Sequence, residues 1–412
     1  MIRSRRILLG AFGQPGHTFP MLALGAELVR RGHQVRFETW SHWRDAVEAE
    51  GMAFTAAPEY PVFPTRERPL QPYEAVVLAT AETQETVRAF APDLVVHDIL
   101  TLAPALAGEL EGAAVATLIP HLYPVGAPGF PPYASGARLP RTVLGQRLWE
   151  GLSQPLEAGL RLGRDQLNDT RRRLGLPPRA DLHGGLSRDL CLVATFPALE
   201  YPRRWPAHVR VTGPLFWEPP APAVELPHGE GPLILIAPST AQDPGQRMLD
   251  CALRGLGGLS VPSLSGSGRA RVRVLASTNR RPLARAVPVP TPEEVALVNW
   301  LSYAVTMPKA DLVICHAGHG TLVRALACGT PVLAVPHVGD MAENAARVAW
   351  AGVGVRLPWR LLTPQTVRWA TAHALDPAAG FRARAARLRA WADRERPAVR
   401  AAEALEGLLA GG

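Results

Sequence analysis

With 412 residues, 47% of them hydrophobic, the chain is longer than one core usually organises, and two domains are the default expectation. The formal net charge of +8 is almost entirely arginine, since Lys309 is the only lysine, and beyond short clusters at Arg171–Arg173 and Arg203–Arg204 the arginines are scattered, which excludes the basic stripe of a nucleic-acid binder. No stretch approaches the ~20 apolar residues of a membrane span, and the four cysteines lack CxxC spacing, which excludes a disulfide framework and fits reduced thiols in a cytoplasm.

The opening MIRSRRILLGAFG imitates a signal peptide's basic start, but its apolar run is short and leads into a Gly-rich turn, so it reads as a first strand. RILLGAF is a continuous apolar run of the kind buried on both faces of a parallel sheet. GQPGHT breaks it, FPMLALGAELVRR has helical periodicity up to Gly32, and QVRFETW resumes as a strand, which makes one βαβ unit. DLVVHDI at 93–99, EGAAVATLIP ending at Pro120 and DLCLVATF at 189–196 supply further strands. Between 121 and 188 the pattern loosens into the Pro/Gly-rich GAPGFPPYASGARLP and a helical stretch broken at Pro155. GPLFWEPPAPAVELPHGEGP at 213–232 is the best linker, semi-rigid because of its prolines. Beyond it the theme restarts. LILIAP is a strand ending in the turn STAQDPG, QRMLDCALRGLGG is a helix, GLSVPSLSGSGRA a flexible loop and RVRVLAS a strand. DLVIC, TLVRALACG and PVLAVP form a second strand–helix–strand unit, and the stretch from Thr363 is helical with a break near Pro377.

In open α/β sheets ligands bind beyond the carboxyl ends of the strands, where GQPGHT and HAGHGT lie. In HAGHGT the small residues Gly318 and Gly320 admit a close ligand, and the following helix offers free N–H groups and a dipole worth 0.3–1 kcal/mol to an anion. Thr321 adds a hydroxyl and His316 an imidazole N–H, which together make a diphosphate site. A metal reading of His316 and His319, with His337 and Asp340 as further ligands, has no matching ligand spacing behind it. A histidine that only caps a helix is the plain structural alternative.

HAGHGTLVRALACGTPVLAVPHVGDMAENAARVAWAGVGVRL resembles the donor-binding signature of the family 1 nucleotide-sugar glycosyltransferases, which include plant secondary-product enzymes and bacterial antibiotic and macrolide enzymes. His316 and Asp340 stand 24 apart as in that pattern, and Asn344-Ala345 follows. GQPGHTFPMLALGAELVRRGHQV resembles the family's opening, and APDLVVHD its strand ending in Asp. The resemblance covers nearly the whole chain, most weakly 121–188 and 258–270. It implies an α/β chain of the GT-B fold, two facing Rossmann-like doubly wound domains with a cleft between them. The boundaries then read as an acceptor-binding domain at 1–215, a linker at 216–230, a donor-binding domain at 231–375, and C-terminal helices at 376–412 packing back across the first domain.

The resemblance also implies roles. His17 matches the general base on the acceptor hydroxyl and Asp98 the acid that orients it, a pair the chemistry needs because a carboxylate on one imidazole nitrogen fixes the tautomer that leaves the other basic. His316, Gly320 and Thr321 match residues on the donor diphosphate, Ser239 and Thr240 a second phosphate loop, Trp300 an aromatic stacked on the base, Leu301 a backbone that reads the base edge, and Asp340 a carboxylate on sugar hydroxyls. No metal is required in this scheme. Where the chain departs from the pattern, Ala317 replaces a Gly or Cys, His319 fills a variable position that admits a donor contact, and Arg324 stands where plant enzymes carry a ribose-binding Glu. Met341 replaces a sugar-contacting Gln, which suggests a less polar sugar such as a deoxysugar on dTDP. Phe12, Trp40, His121, Phe130 and Tyr133 are candidates to line an apolar acceptor cleft.

The expected activity is inverting, metal-independent transfer of a sugar from a UDP- or dTDP-sugar to a hydroxyl of an apolar small molecule. The partners are the donor and that acceptor, with no nucleic acid, and a homodimer stays open. The rivals are a sugar-nucleotide epimerase or hydrolase on the same fold, which has no use for His17 opposite the donor, and a non-catalytic helper of a partner transferase. A dehydrogenase is excluded by the lack of a G-x-G-x-x-G turn with a downstream acidic residue.

Overall fold

The apolar runs RILLG, LVVHD, LILIA and LVIC form parallel strands buried on both faces. The computed structural model describes residues 3–58, 73–152, 154–222, 224–239, 243–262, 268–283 and 294–411. In chain order the first half contains β1 (Arg6–Gly10), α1 (Pro15–Arg30), β2 (Gln34–Thr39), α2 (Arg44–Ala49), β3 (Ala53–Ala56), α3 (Glu74–Phe90), β4 (Leu94–Asp98), α4 (Leu102–Leu110), β5 (Ala114–Ile119), α5 (Val143–Leu152), α6 (Gln154–Arg173), β6 (Leu190–Val193) and β7 (Val209–Val211). The strands form one parallel sheet in the order β3-β2-β1-β4-β5-β6-β7, with Leu9 of β1 in register with Phe37 on one side and Val96 on the other.

The second half contains β8 (Leu233–Ala237), α7 (Arg247–Leu256), β9 (Ser260–Pro262), β10 (Arg269–Arg271), β11 (Arg273–Ser277), β12 (Val295–Val298), α8 (Tyr303–Thr306), β13 (Leu312–Cys315), α9 (His319–Ala327), β14 (Val332–Ala334), α10 (Met341–Ala351), β15 (Gly354–Arg356), α11 (Pro364–Ala374), α12 (Phe381–Glu395) and α13 (Pro397–Ala410). Its parallel sheet runs β12-β11-β8-β13-β14-β15. Both doubly wound halves expected from the sequence are present. In each, the strand order reverses beside the first strand, between β1 and β4 in one half and between β8 and β13 in the other. Such switch points open a crevice in which ligands bind.

Three local differences from the sequence reading have physical causes. GQPGHT is not all loop: α1 already begins at Pro15, the first helical position, where proline's fixed φ and missing N–H cost nothing. GLSVPSLSGSGRA is not all loop either, because β9 and β10 pair antiparallel, Val261 opposite Ala270. The C-terminal helices divide between the halves. α12 packs against α9, whereas α13 crosses to α1 and buries Ala401, Ala402 and Leu405 in the first domain's core. Arg31 and His33 fix this crossing through Glu406, at 2.7 Å and 3.0 Å.

The halves also share a core, since Leu122, Phe196 and Leu199 of the first pack in one cluster with Met341, Ala345 and Leu322 of the second. At its centre Arg347 of α10 donates to Glu343 at 2.8 Å, to Glu200 at 3.3 Å and to Leu199 O at 3.1 Å, and its guanidinium lies 3.4 Å from the Tyr201 ring centroid. The linker is pinned as well, with Trp217 donating to Glu50 at 2.7 Å and packing edge-on to Phe19 and Trp43. No helix of the described residues is long and apolar enough to cross a membrane.

Candidate active site

His17 occupies the first turn of α1, directly after β1, and Asp98 ends the adjacent β4, so the first switch point sets them side by side. His17 Nδ1 lies 2.8 Å from Asp98 Oδ1. Asp98 is fully buried and also accepts from the backbone N–H of Phe12 at 2.6 Å and of Leu100 at 2.8 Å, and from the Thr101 hydroxyl at 2.8 Å. Burial pushes the Asp98 carboxyl up, but the bonds from His17, Phe12 and Leu100 outweigh it and hold the group below its ordinary range. An ionised Asp98 keeps the proton of His17 on Nδ1 and leaves Nε2 as the basic nitrogen. Behind it, His97 is tied by Thr117 at 2.8 Å and Thr101 O at 3.0 Å, which fixes the loop that presents Asp98.

Phe12 stands edge-on to Trp40 at 4.9 Å and to His17 at 6.1 Å, giving the base one apolar wall. Gly13 lies against the Trp40 ring so closely that a Cβ there would sit 2.1 Å from it. His121 adds a polar element. Its Nδ1 lies 2.8 Å from Leu122 O and 3.3 Å from the Tyr133 hydroxyl, and burial lowers its pKa. Asp340, His17 and Asp98 all act electrostatically on His121, so it feels carboxylates of both domains. Phe130 does not belong to this group. It packs edge-on to Tyr201 at 5.6 Å and under Arg203 at 4.9 Å, a cluster that braces the 121–142 loop.

Facing α1 is the second switch point. A cavity of about 260 Å³ lies between the halves, bordered by Pro15, Gly16 and Phe19 of α1, by Phe216, Trp217 and Glu218 of the linker, and by Ser239, Trp300, Leu301, His316, Gly318, Gly320, Thr321 and Arg324. Trp300 has Arg280 over its ring at 4.8 Å, and Leu301 is buried beside it. Thr240 lies outside the described residues. α9 starts at His319, two residues before Thr321, so Gly320 and Thr321 lie in its first turn, where backbone N–H groups have no helical partner.

His316 and His319 both border this cavity, and each is also bonded within the protein. His319 turns its Nε2 to the Thr195 hydroxyl of the first domain at 3.0 Å, and burial pushes its pKa down to about 3, so it is a neutral bridge between domains. His316 binds in the opposite direction, toward Asp243 at 3.2 Å, so the two histidines do not converge as a metal pair. Met341, at the start of α10 next to Asp340, packs in the shared core and is largely buried.

Glu218, and the contacts that Arg324 and Asn344 make, escaped the sequence reading. Glu218 reaches from the linker to the Ser302 hydroxyl and to Ala304 N at 3.1 Å, capping α8 at the cavity rim. Arg324 fills the space near it, over the Phe216 ring at 4.7 Å and donating to Trp217 O at 3.2 Å. Asn344 donates to Ala317 O at 2.9 Å and to Asp340 at 3.1 Å, joining the strand-to-helix turn to the candidate sugar-binding carboxylate. The aromatic FWE within the linker and the Asn three residues into the last helix of the signature were the signals for these.

Known proteins resemble this chain over most of its length. Residues 270–405 match the family described as Erythromycin biosynthesis protein CIII-like, C-terminal domain. The chain is 29% identical to 4'-demethylrebeccamycin synthase of Lentzea aerocolonigenes over 98% of its own length and 99% of the relative's. It is 30% identical to O-mycaminosyltylonolide 6-deoxyallosyltransferase of Streptomyces fradiae, with 92% of each chain covered. The crystal structure of the glycotransferase of kitacinnamycin superposes with a TM-score of 0.74 at 19% identity, covering 98% of this chain and 99% of that one, which is a likeness of fold. The facing sheets are the GT-B fold, and the chain belongs to the bacterial antibiotic and macrolide branch of the family 1 nucleotide-sugar glycosyltransferases.

Proposed function

We propose that this glycosyltransferase moves a sugar from a nucleoside diphosphate to a hydroxyl of an apolar natural product, inverting the anomeric carbon and using no metal ion. The observation that carries the reading is the His17–Asp98 pair, held at 2.8 Å on one wall of the cleft, with the first turn of α9 on the facing domain. The acceptor enters beside Phe12 and Trp40. His17 Nε2 takes the hydroxyl proton as the oxygen attacks the anomeric carbon, and the imidazolium that forms is stabilised by Asp98. The bond from that carbon to the phosphate oxygen breaks on the opposite face, and the electron pair leaves with the diphosphate. Its negative charge is met by the N–H groups around Gly320 and Thr321, the Thr321 hydroxyl and the α9 dipole, the task a metal performs in other enzymes.

The base of the nucleotide stacks on Trp300, with its edge read by the backbone at Leu301. Asp340 holds sugar hydroxyls. The missing amide at Met341, and a relative that transfers 6-deoxyallose, support a deoxysugar on dTDP over a UDP-hexose. The test is a donor-by-acceptor panel read by mass spectrometry in the presence of EDTA. Acceptor mass should rise by one sugar with dTDP-deoxysugars, at unchanged rate in EDTA, and the anomeric proton coupling should report inversion. Strong preference for UDP-glucose would sink the donor assignment, and loss of turnover in EDTA the metal independence.

A further inference from the structure

We infer that Asp243 is a positioning residue for the donor site, and that His316 acts as a neutral strut between the two phosphate-facing turns instead of as a hydrogen-bond donor to the diphosphate. This rests on the functional reading above. His316 is only 2% exposed, and both ring nitrogens are engaged within the protein. Nδ1 accepts the backbone N–H of Ser239 at 2.9 Å, so it carries no proton. The single N–H of the neutral ring is therefore on Nε2, which lies 3.2 Å from Asp243 Oδ2. That leaves no imidazole N–H for a phosphate oxygen.

Asp243 is built to receive it. The residue is buried, in the left-handed region at φ 62°, and its carboxylate also accepts the N–H of Arg247 at 3.0 Å and of Met248 at 3.0 Å at the start of α7. Burial raises the carboxyl's pKa, but the His316 bond and these two amides more than compensate, so it stays ionised. Around the pair stand His337, with its ring centroid 6.4 Å from that of His316, and Trp359 at 6.0 Å, itself covered by Arg247 at 5.3 Å. The chain Asp243–His316–Ser239 thus runs from the start of α7, across the turn before α9, to the turn after β8. It sets the distance between the two turns that flank the cavity. A strut requires an acceptor at one end and a donor at the other, and no positive charge.

The experiment compares wild-type protein with Asp243→Ser, Asp243→Asn, His316→Gln and His316→Ala. It reads dTDP and UDP binding by calorimetry, donor KM and kcat from pH 6 to 9, and melting temperature. Ser keeps a cap on α7 but is too short for His316. Gln can accept from Ser239 with its carbonyl and donate to Asp243 with its amide, yet cannot become a cation. Expected are a donor KM roughly 10-fold to 100-fold higher in Asp243→Ser, the loss of one charge-assisted hydrogen bond, with kcat reduced less. His316→Gln should stay within about threefold of wild type while His316→Ala resembles Asp243→Ser, and ¹⁵N-histidine spectra should show His316 as the neutral Nε2–H tautomer. Asp243→Asn, which keeps both reach and cap, should fall between Asp243→Ser and wild type. The assignment is overturned if His316→Gln is as impaired as His316→Ala, or if Asp243→Ser binds nucleotide like wild type. Absence of nucleotide binding by the wild-type protein would instead overturn the functional reading, and the assignment with it.

Discussion

Asn344 holds Ala317 in a conformation that alanine avoids. Ala317 has φ 61°, in the left-handed region that disfavours any residue with a Cβ by roughly 1–2 kcal/mol, and the Asn344 amide donates to its carbonyl oxygen at 2.9 Å. The turn that brings Gly320 and Thr321 to the cavity is thus maintained from the neighbouring helix.

Replacing Asn344 by Ala should lower stability by about 1–3 kcal/mol, because a buried carbonyl loses its partner, and should raise the donor KM by loosening Asp340 as well. Asn344→Asp should do no better, since a carboxylate cannot donate to Ala317 O. Urea denaturation together with donor KM checks both, and a fully stable Asn344→Asp protein would refute the role given to the amide.

His17→Ala should reduce kcat by roughly 10²–10⁴ and leave nucleotide binding unchanged, because the ring is not among the residues bordering the donor cavity. Asp98→Asn should also lower kcat, as an amide no longer enforces a proton on Nδ1. Parallel calorimetry and steady-state kinetics separate these effects, and a weakened nucleotide affinity in His17→Ala would place the histidine elsewhere in the cycle.

Glu38 gives the fold a pH dependence unrelated to catalysis. Burial pushes its pKa from 4.5 up to about 7, with the Thr83 hydroxyl donating to it at 2.8 Å. The folded protein therefore favours the protonated acid. The stabilisation this gives is complete below about pH 4.5, is lost as pH rises toward 7, and is absent above it. Glu38→Gln should accordingly be more stable than wild type at pH 8, by on the order of 2–3 kcal/mol, and this advantage should vanish near pH 4. Chemical denaturation at the two pH values measures the difference.

Arg347→Met should cost about 3–5 kcal/mol, since it strands Glu200 and Glu343 without their cation in the core shared by the two halves. Changing both glutamates to glutamine in the same chain should recover most of the loss. Equal instability of the single and the triple variant in guanidinium melts would show that packing, not charge, is what Arg347 supplies.

Much of this arrangement was readable from residues. Unbroken apolar runs such as RILLG and LILIA marked the buried parallel strands, and Gly and Pro marked the turns after them, so both switch points followed. The His17–Asp98 pair was readable only through resemblance, because 81 residues separate the two and strand order alone makes them neighbours. Asp243 reads as an ordinary turn residue in TAQDPG, and no local pattern tells that a histidine 73 positions later lies against it. Phe130 and Met341 show the reverse case. Each sits in a stretch with the right composition, but rotation toward Tyr201 or into the shared core is settled by packing, which sequence spacing does not encode.

The return of α13 to the first domain means that the polypeptide passes between the halves twice, once through the Pro-rich linker between β7 and β8 and once between α12 and α13. Beside those crossings lie the shared core and the Thr195–His319 and Glu200–Arg347 contacts, so the halves are joined through both main chain and side chains. Glu406, held by Arg31 and His33, is the side-chain anchor of the second crossing.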